Sequence, residues 1–180
     1  MLRLTLPAIA LGTTTLFLTA EIAHGQPASS GKSTPASGRT IAVSGTGVDL
    51  LTTALVHSKD STASRMVQKS TEIVELTGDL TGRVLYQVTT EIDFVHKMLV
   101  NTGNQVYSGT VAGSAPVMLH DDRFRFQVNL VTGEEHGRVY LADHIAGPKV
   151  RCTLDAKGTG PNAQGNPTFT YRGECTMGGR

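Results

Sequence analysis

Few side chains in this sequence combine reactive chemistry with an apolar setting. Asp143 shares parity with Val139, Leu141 and Ile145, so the alternation of a strand points its carboxyl inward. A desolvated carboxylate has a raised pKa and can serve as acid or base, which makes Asp143 the candidate catalytic residue. A position at a barrel mouth, or a bulge that turned it outward, would leave it an ordinary solvated acid. Tyr86 and Tyr171 also fall on apolar faces. Their hydroxyls could orient a ligand, or serve only a local hydrogen bond within the packing. Phe124 and Phe126 offer ring surface to an apolar ligand, and His96 continues the parity of Tyr86. One of Glu72 and Glu75 points inward, and the pattern does not say which.

Two further clusters look like metal ligands, His120-Asp121-Asp122 and Glu134-Glu135-His136. Both stand where turns are expected, and neighbours in a turn seldom converge on one ion. They read as solvated loop charge, with no metal and no cofactor. No glycine-rich segment follows a strand and opens a helix, so a phosphate loop is not supported. No serine nucleophile elbow is present.

The elements that must position these residues are strands. Arg123 to Leu130 alternates strictly, with Phe124, Phe126, Val128 and Leu130 on one face and charged or polar residues on the other. Arg83 to Asp93 does the same through Val84, Tyr86, Val88 and Ile92. That parity runs on through Phe94, His96, Met98 and Val100, as a strand passing a bulge would. Ile41 and Val43 open the first strand, with Gly45 and Gly47 on the same side. His57 to Ser61 reads as a loop. Thr77 to Gly82, Asn101 to Asn104 and Thr132 to Gly137 read as turns. Short strands, tight turns and 20 glycines imply an all-β domain, a single antiparallel up-and-down β-barrel of about eight strands; a two-sheet sandwich is the alternative.

The 180 residues carry a formal net charge of +1 with no Lys/Arg cluster, so nothing favours nucleic acid as a partner. Residues 1–25 read as a signal peptide with cleavage before Gln26, and no stable membrane insertion is expected afterwards. Residues 26–39 are a Pro/Ser/Gly-rich linker, residues 40–177 the barrel domain, and residues 178–180 a short tail. The protein is therefore expected to be secreted or periplasmic. In that compartment the two cysteines, Cys152 and Cys175, read as a disulfide across neighbouring strands. That pairing also sets Leu154 opposite Gly173, Ala156 opposite Tyr171 and Gly158 opposite Phe169, large against small.

The segment Gly78-Asp79-Leu80-Thr81-Gly82 followed by Tyr86, the return Tyr107-Ser108-Gly109-Thr110, and Gly158-Thr159-Gly160 with Tyr171-Arg172-Gly173-Glu174 resemble the allene oxide cyclase-like barrel superfamily. The likeness spans roughly Thr40 to Met177. It is closer to small bacterial members of unassigned function than to plant dirigent proteins. It implies an eight-stranded barrel with an apolar cavity, often trimeric, whose characterised members steer cyclisation or coupling of a small apolar substrate without a cofactor. No catalytic residue transfers by position. Three functions remain: a barrel holding a small apolar molecule, a cofactor-free isomerase or cyclase, or a filled barrel that binds proteins.

Overall fold

Strands that are dry on one face and wet on the other close on themselves in the computed structural model, which describes residues 38–178. The expected signal peptide, the linker up to residue 37 and residues 179–180 lie outside the described residues. The strands are β1 (Arg39–Asp49), β2 (Leu55–Ser61), β3 (Arg65–Gly78), β4 (Leu80–Asp93), β5 (Met98–Val111), β6 (Val117–Asp121), β7 (Arg125–Asn129), β8 (Glu135–Leu141), β9 (Asp143–Ala146), β10 (Val150–Pro161) and β11 (Pro167–Met177). A 3-10 turn, Leu51–Thr53, joins β1 to β2.

Every pairing is antiparallel, and the ladder runs β1–β3–β4–β5–β7–β8–β10–β11 and back to β1. Three staves are each broken in two. β1 and β2 lie end to end along β3, β6 and β7 along β5, and β8 and β9 along β7 and β6. The result is an eight-stranded up-and-down barrel, closed and so without an edge around its girth.

The disulfide Cys152–Cys175 forms, and β10 pairs with β11 in the register it implies: Leu154 faces Gly173, Ala156 faces Tyr171 and Gly158 faces Phe169. Large-against-small packing governs the wall elsewhere too. Gly45 and Gly47 of β1 stand opposite Tyr171 and Phe169, and a β-carbon on either would run into the aromatic ring. Gly137 gives Phe126 the same room. One end of the barrel is a solid floor of Leu80, Tyr107, Val111, Val117, Leu119 and Leu141, with the disulfide among them. At the other end β3 and β4 run on past the end of β1 as a tongue, with β2 along its edge, while β5 stays paired with β7 to its first residue.

Several local expectations are corrected. The chain does not run through 94–100 as one strand; residues 94–97 form the β4–β5 turn, with Lys97 at positive φ. Asn101 to Asn104 is not a turn but mid-β5. The ladder to β4 overrides its turn-like composition, and Gly103 lies too close to the Gln87 carbonyl for any side chain. His57 to Ser61 lies in β2 rather than a loop. Arg123 to Leu130 contributes only Arg125–Asn129 as strand. Phe124 is buried and Phe126 half-buried as expected, but Leu130 lies in the turn and is exposed.

Candidate functional site

The barrel encloses a cavity of about 80 Å³, counted as space open to the centre of a water molecule. Its wall is a file of rings in edge-to-face contact. Tyr86 meets Phe124 at 6.1 Å, Phe124 meets Phe126 at 6.3 Å, and Phe126 meets Phe169 at 6.1 Å. The exposure of its lining gives the cavity a direction. Tyr171, Leu141 and Leu154 at the floor are buried, whereas Asp49, Glu135, Phe126 and Phe169 are only partly so and mark the mouth.

A polar cluster interrupts the apolar wall. Ile41, Val43, Gly45 and Gly47 turn inward along β1, and the same parity carries the carboxyl of Asp49 into the cavity. On β3 the inward file is Ser70, Glu72, Val74 and Leu76, so Glu72 is the inward glutamate. Glu75 faces out, 3.8 Å from Arg83. Glu72 stands directly across the ladder from Tyr86. The Tyr86 hydroxyl lies 2.8 Å from Asp49 Oδ2 and 2.7 Å from Glu72 Oε2, while the Ser70 hydroxyl donates to Glu72 Oε1.

Proton counting constrains this group. Tyr86 has one proton and two carboxyl partners, so both contacts are hydrogen bonds only when one carboxyl is itself protonated. Asp49 suits that role. Burial pushes its pKa up to about 6; the Tyr86 hydrogen bond works against this, and nearby Glu72 and Glu135 add to it. Burial first, then the two carboxylates, drives the Tyr86 phenol far above its ordinary value, so it remains a donor. Burial also raises Glu135 at the mouth, against the opposing pull of His136. The remaining Asp49 oxygen, Oδ1, is buried without a hydrogen-bond partner, and so is Asn101 Oδ1. Both residues line the cavity. Such a group can hold, accept or give a proton, and Asp49 Oδ1 and Asn101 Oδ1 are two acceptors with no partner of their own.

The residues singled out in the sequence divide into three sets. Tyr86, Phe124, Phe126 and Tyr171 do meet in the interior. Tyr171 is already satisfied there, accepting from Leu80 N at 2.8 Å and lying 3.1 Å from the Thr77 carbonyl that it can donate to, so it braces the floor. Asp143 does not point inward. The stave breaks at Ala142, β9 leaves β7 for β6, and Asp143 ends exposed, 3.4 Å from His120. His96 is also outside, on the β4–β5 turn, with Nδ1 2.7 Å from Asp93; that pairing raises its pKa.

The two acidic clusters split. Glu134 and His136 form an exposed pair at 2.9 Å, but Glu135 between them faces the mouth. Asp121 is buried and is a brace rather than solvated charge. It accepts from Gln105 Nε2 at 2.9 Å and from the backbone N–H groups of Arg123 and Tyr140, each at 2.7 Å. Among the described residues no group of three or more His, Cys, Asp or Glu is placed to hold a metal ion.

Sequence reasoning missed Asp49, Asn101 and Glu135. The parity of Ile41 and Val43, extended two residues past Gly47, would have found the first. The register of the β3–β4 hairpin about Asp79 would have chosen Glu72 over Glu75. Compared with known proteins, the chain matches no family model, no curated protein and no solved structure.

Proposed function

We propose that the protein is a secreted or periplasmic barrel that holds a small, mainly apolar molecule in its interior. The carrying observation is the pair of buried, unpartnered acceptors, Asp49 Oδ1 and Asn101 Oδ1, on two residues that line a cavity walled mainly by aliphatic and aromatic side chains. A buried acceptor without a partner costs about 1–3 kcal/mol, which a ligand donor would recover. Apolar walls with a few fixed polar groups are the usual make-up of a small-molecule site. The disulfide and the N-terminal leader pattern support an oxidising compartment. The ligand is small. An apolar cavity of about 150 Å³ admits benzene, so at about 80 Å³ a larger body must project through the mouth or displace a ring.

Native mass spectrometry of the protein taken from its own host tests this reading. A retained small molecule supports it. A bare mass, with no uptake of a hydrophobic probe, overturns it and leaves a barrel that works through its outer face.

The proton-sharing group Asp49–Tyr86–Glu72 favours a second reading, a cofactor-free isomerase or cyclase. In its ionised form Asp49 would take a proton from the substrate, and Tyr86 and Glu72 would hold its carboxyl in place. The resemblance to allene oxide cyclase-like barrels supports the same chemistry and makes a trimer the assembly to look for. Comparing the retained molecule before and after incubation with the protein separates the two: conversion marks an enzyme, and an unchanged ligand a carrier.

A further inference from the structure

Charge is distributed unevenly between the two faces of the wall. All seven ion pairs among the described residues lie on the outer surface. Asp49, Glu72 and Glu135 take part in none of them. The residues that line the cavity include no Lys, Arg or His. Asp49 and Glu135 therefore line a largely apolar space that holds no basic side chain, and Glu72 stands behind Tyr86.

We propose that the interior ligand is an organic cation, an ammonium or amidinium head on a small apolar body, with the head between Asp49 and Glu135. The inference rests on the interior-binding reading above and adds the charge class of the occupant. The unpartnered Asp49 Oδ1 and Asn101 Oδ1, uncovered by a small shift of their side chains, accept two of the head's N–H groups. Tyr86 then donates to Glu72 alone, and the proton that Asp49 held leaves to solvent. Phe124, Phe126 and Phe169 pack the body, and their faces favour a nearby cation. Charge-assisted hydrogen bonds are about twice as strong as neutral ones, so a cation is preferred over a neutral molecule of the same shape.

Affinity also depends on pH. The groups facing Asp49 are Glu72 from β3, Tyr86 from β4 and Glu135 from β8. None of them is a cation, so acid protonates Asp49 and competes with the ligand. Binding weakens as pH falls through about 6.

The test is an NMR titration of the full-length protein with two matched series, isobutylamine, isobutanol and isobutyrate, then benzylamine, benzyl alcohol and benzoate. The amine of at least one series is expected to bind roughly tenfold tighter than its alcohol. That preference should vanish in Asp49→Asn and shrink in Glu135→Gln. Equal affinity for amine and alcohol, or tightest binding of the carboxylate, overturns the cationic ligand and leaves interior binding standing. If no member of either series binds, both readings fall together. Should Asp49→Asn not fold, the pH profile of amine affinity in the unaltered protein decides the matter: an affinity that does not change between about pH 5 and 7.5 refutes the role of Asp49.

Discussion

Replacing Asp49 by Asn should change how the stability of the protein depends on pH. In the unfolded chain this carboxyl titrates near its ordinary value of 3.8; in the barrel it titrates at about 6. The folded state therefore holds the proton more tightly, and unfolding releases it. Stability is greatest below the unfolded value, falls as pH rises from about 4 to about 6, and is level above that. A shift of roughly two units corresponds to about 3 kcal/mol, an upper bound because water reaches part of the site. Asparagine keeps the geometry. Its amide nitrogen donates to the Tyr86 oxygen as the protonated Asp49 does, Tyr86 donates to Glu72, and the amide never ionises.

The assay is urea unfolding of both proteins at several pH values between about 4.5 and 7.5. At the acid end the two should differ by less than about 1 kcal/mol. Between the two ends of this range the variant should gain on the parent by about 2 kcal/mol, the rest of the shift lying below about pH 4.5. Asp93 and Glu134, which His96 and His136 hold low, titrate in the opposite sense but equally in both proteins, so the difference isolates Asp49. Parallel stability curves across this range would refute the buried, proton-sharing cluster.

Other substitutions probe the frame. Replacing Cys152 and Cys175 together by Ser should cost about 3–4 kcal/mol for a loop of this length, seen as a lower urea midpoint. Gly45→Ala should destabilise by about 1–3 kcal/mol, since the new methyl would meet the Thr77 carbonyl and the Tyr171 hydroxyl; thermal unfolding checks it. Asp121→Ala should cost about 3 kcal/mol or more by leaving Gln105 and two backbone N–H groups without an acceptor, with partial recovery in Asp121→Asn. If Asp121→Ala proves neutral in urea unfolding, the carboxylate is not the brace described above.

The parts of the barrel legible in the sequence are those where alternation runs unbroken. In β4 the inward file from Val84 to Val88 reads directly, and the cysteine pair fixes the β10–β11 register to the residue. The parts that misled are the places where a stave breaks. At Ala142 one residue between β8 and β9 breaks the alternation and sets Asp143 opposite His120, so Asp143 leaves the interior that parity had assigned it. Between β6 and β7 the inward set changes from Val117, Leu119 and Asp121 to Phe124 and Phe126, which concealed Asp121 among apparent loop charges. Asn101 was lost because asparagine and glycine look like a turn when the neighbouring strands that hold them extended are not in view. The site itself was half visible. Its rings announced themselves as an apolar file, but its carboxyls sit beside the breaks, where local pattern carries least information.

The covalent link and the tongue stand at opposite ends of the barrel, so the two ends should not come apart together. The floor is tied by sulfur and by residues that no water touches, and its amides should exchange hydrogen only when the whole domain unfolds. Past the end of β1, β2 flanks the outer part of β3 as an edge strand and is exposed throughout. That section can open and reclose at small cost while the rest persists. The interior thus lies behind the least stable part of the chain. Exchange of molecules with the cavity needs only a local fluctuation of the rim, and the disulfide sets how far such an opening can spread.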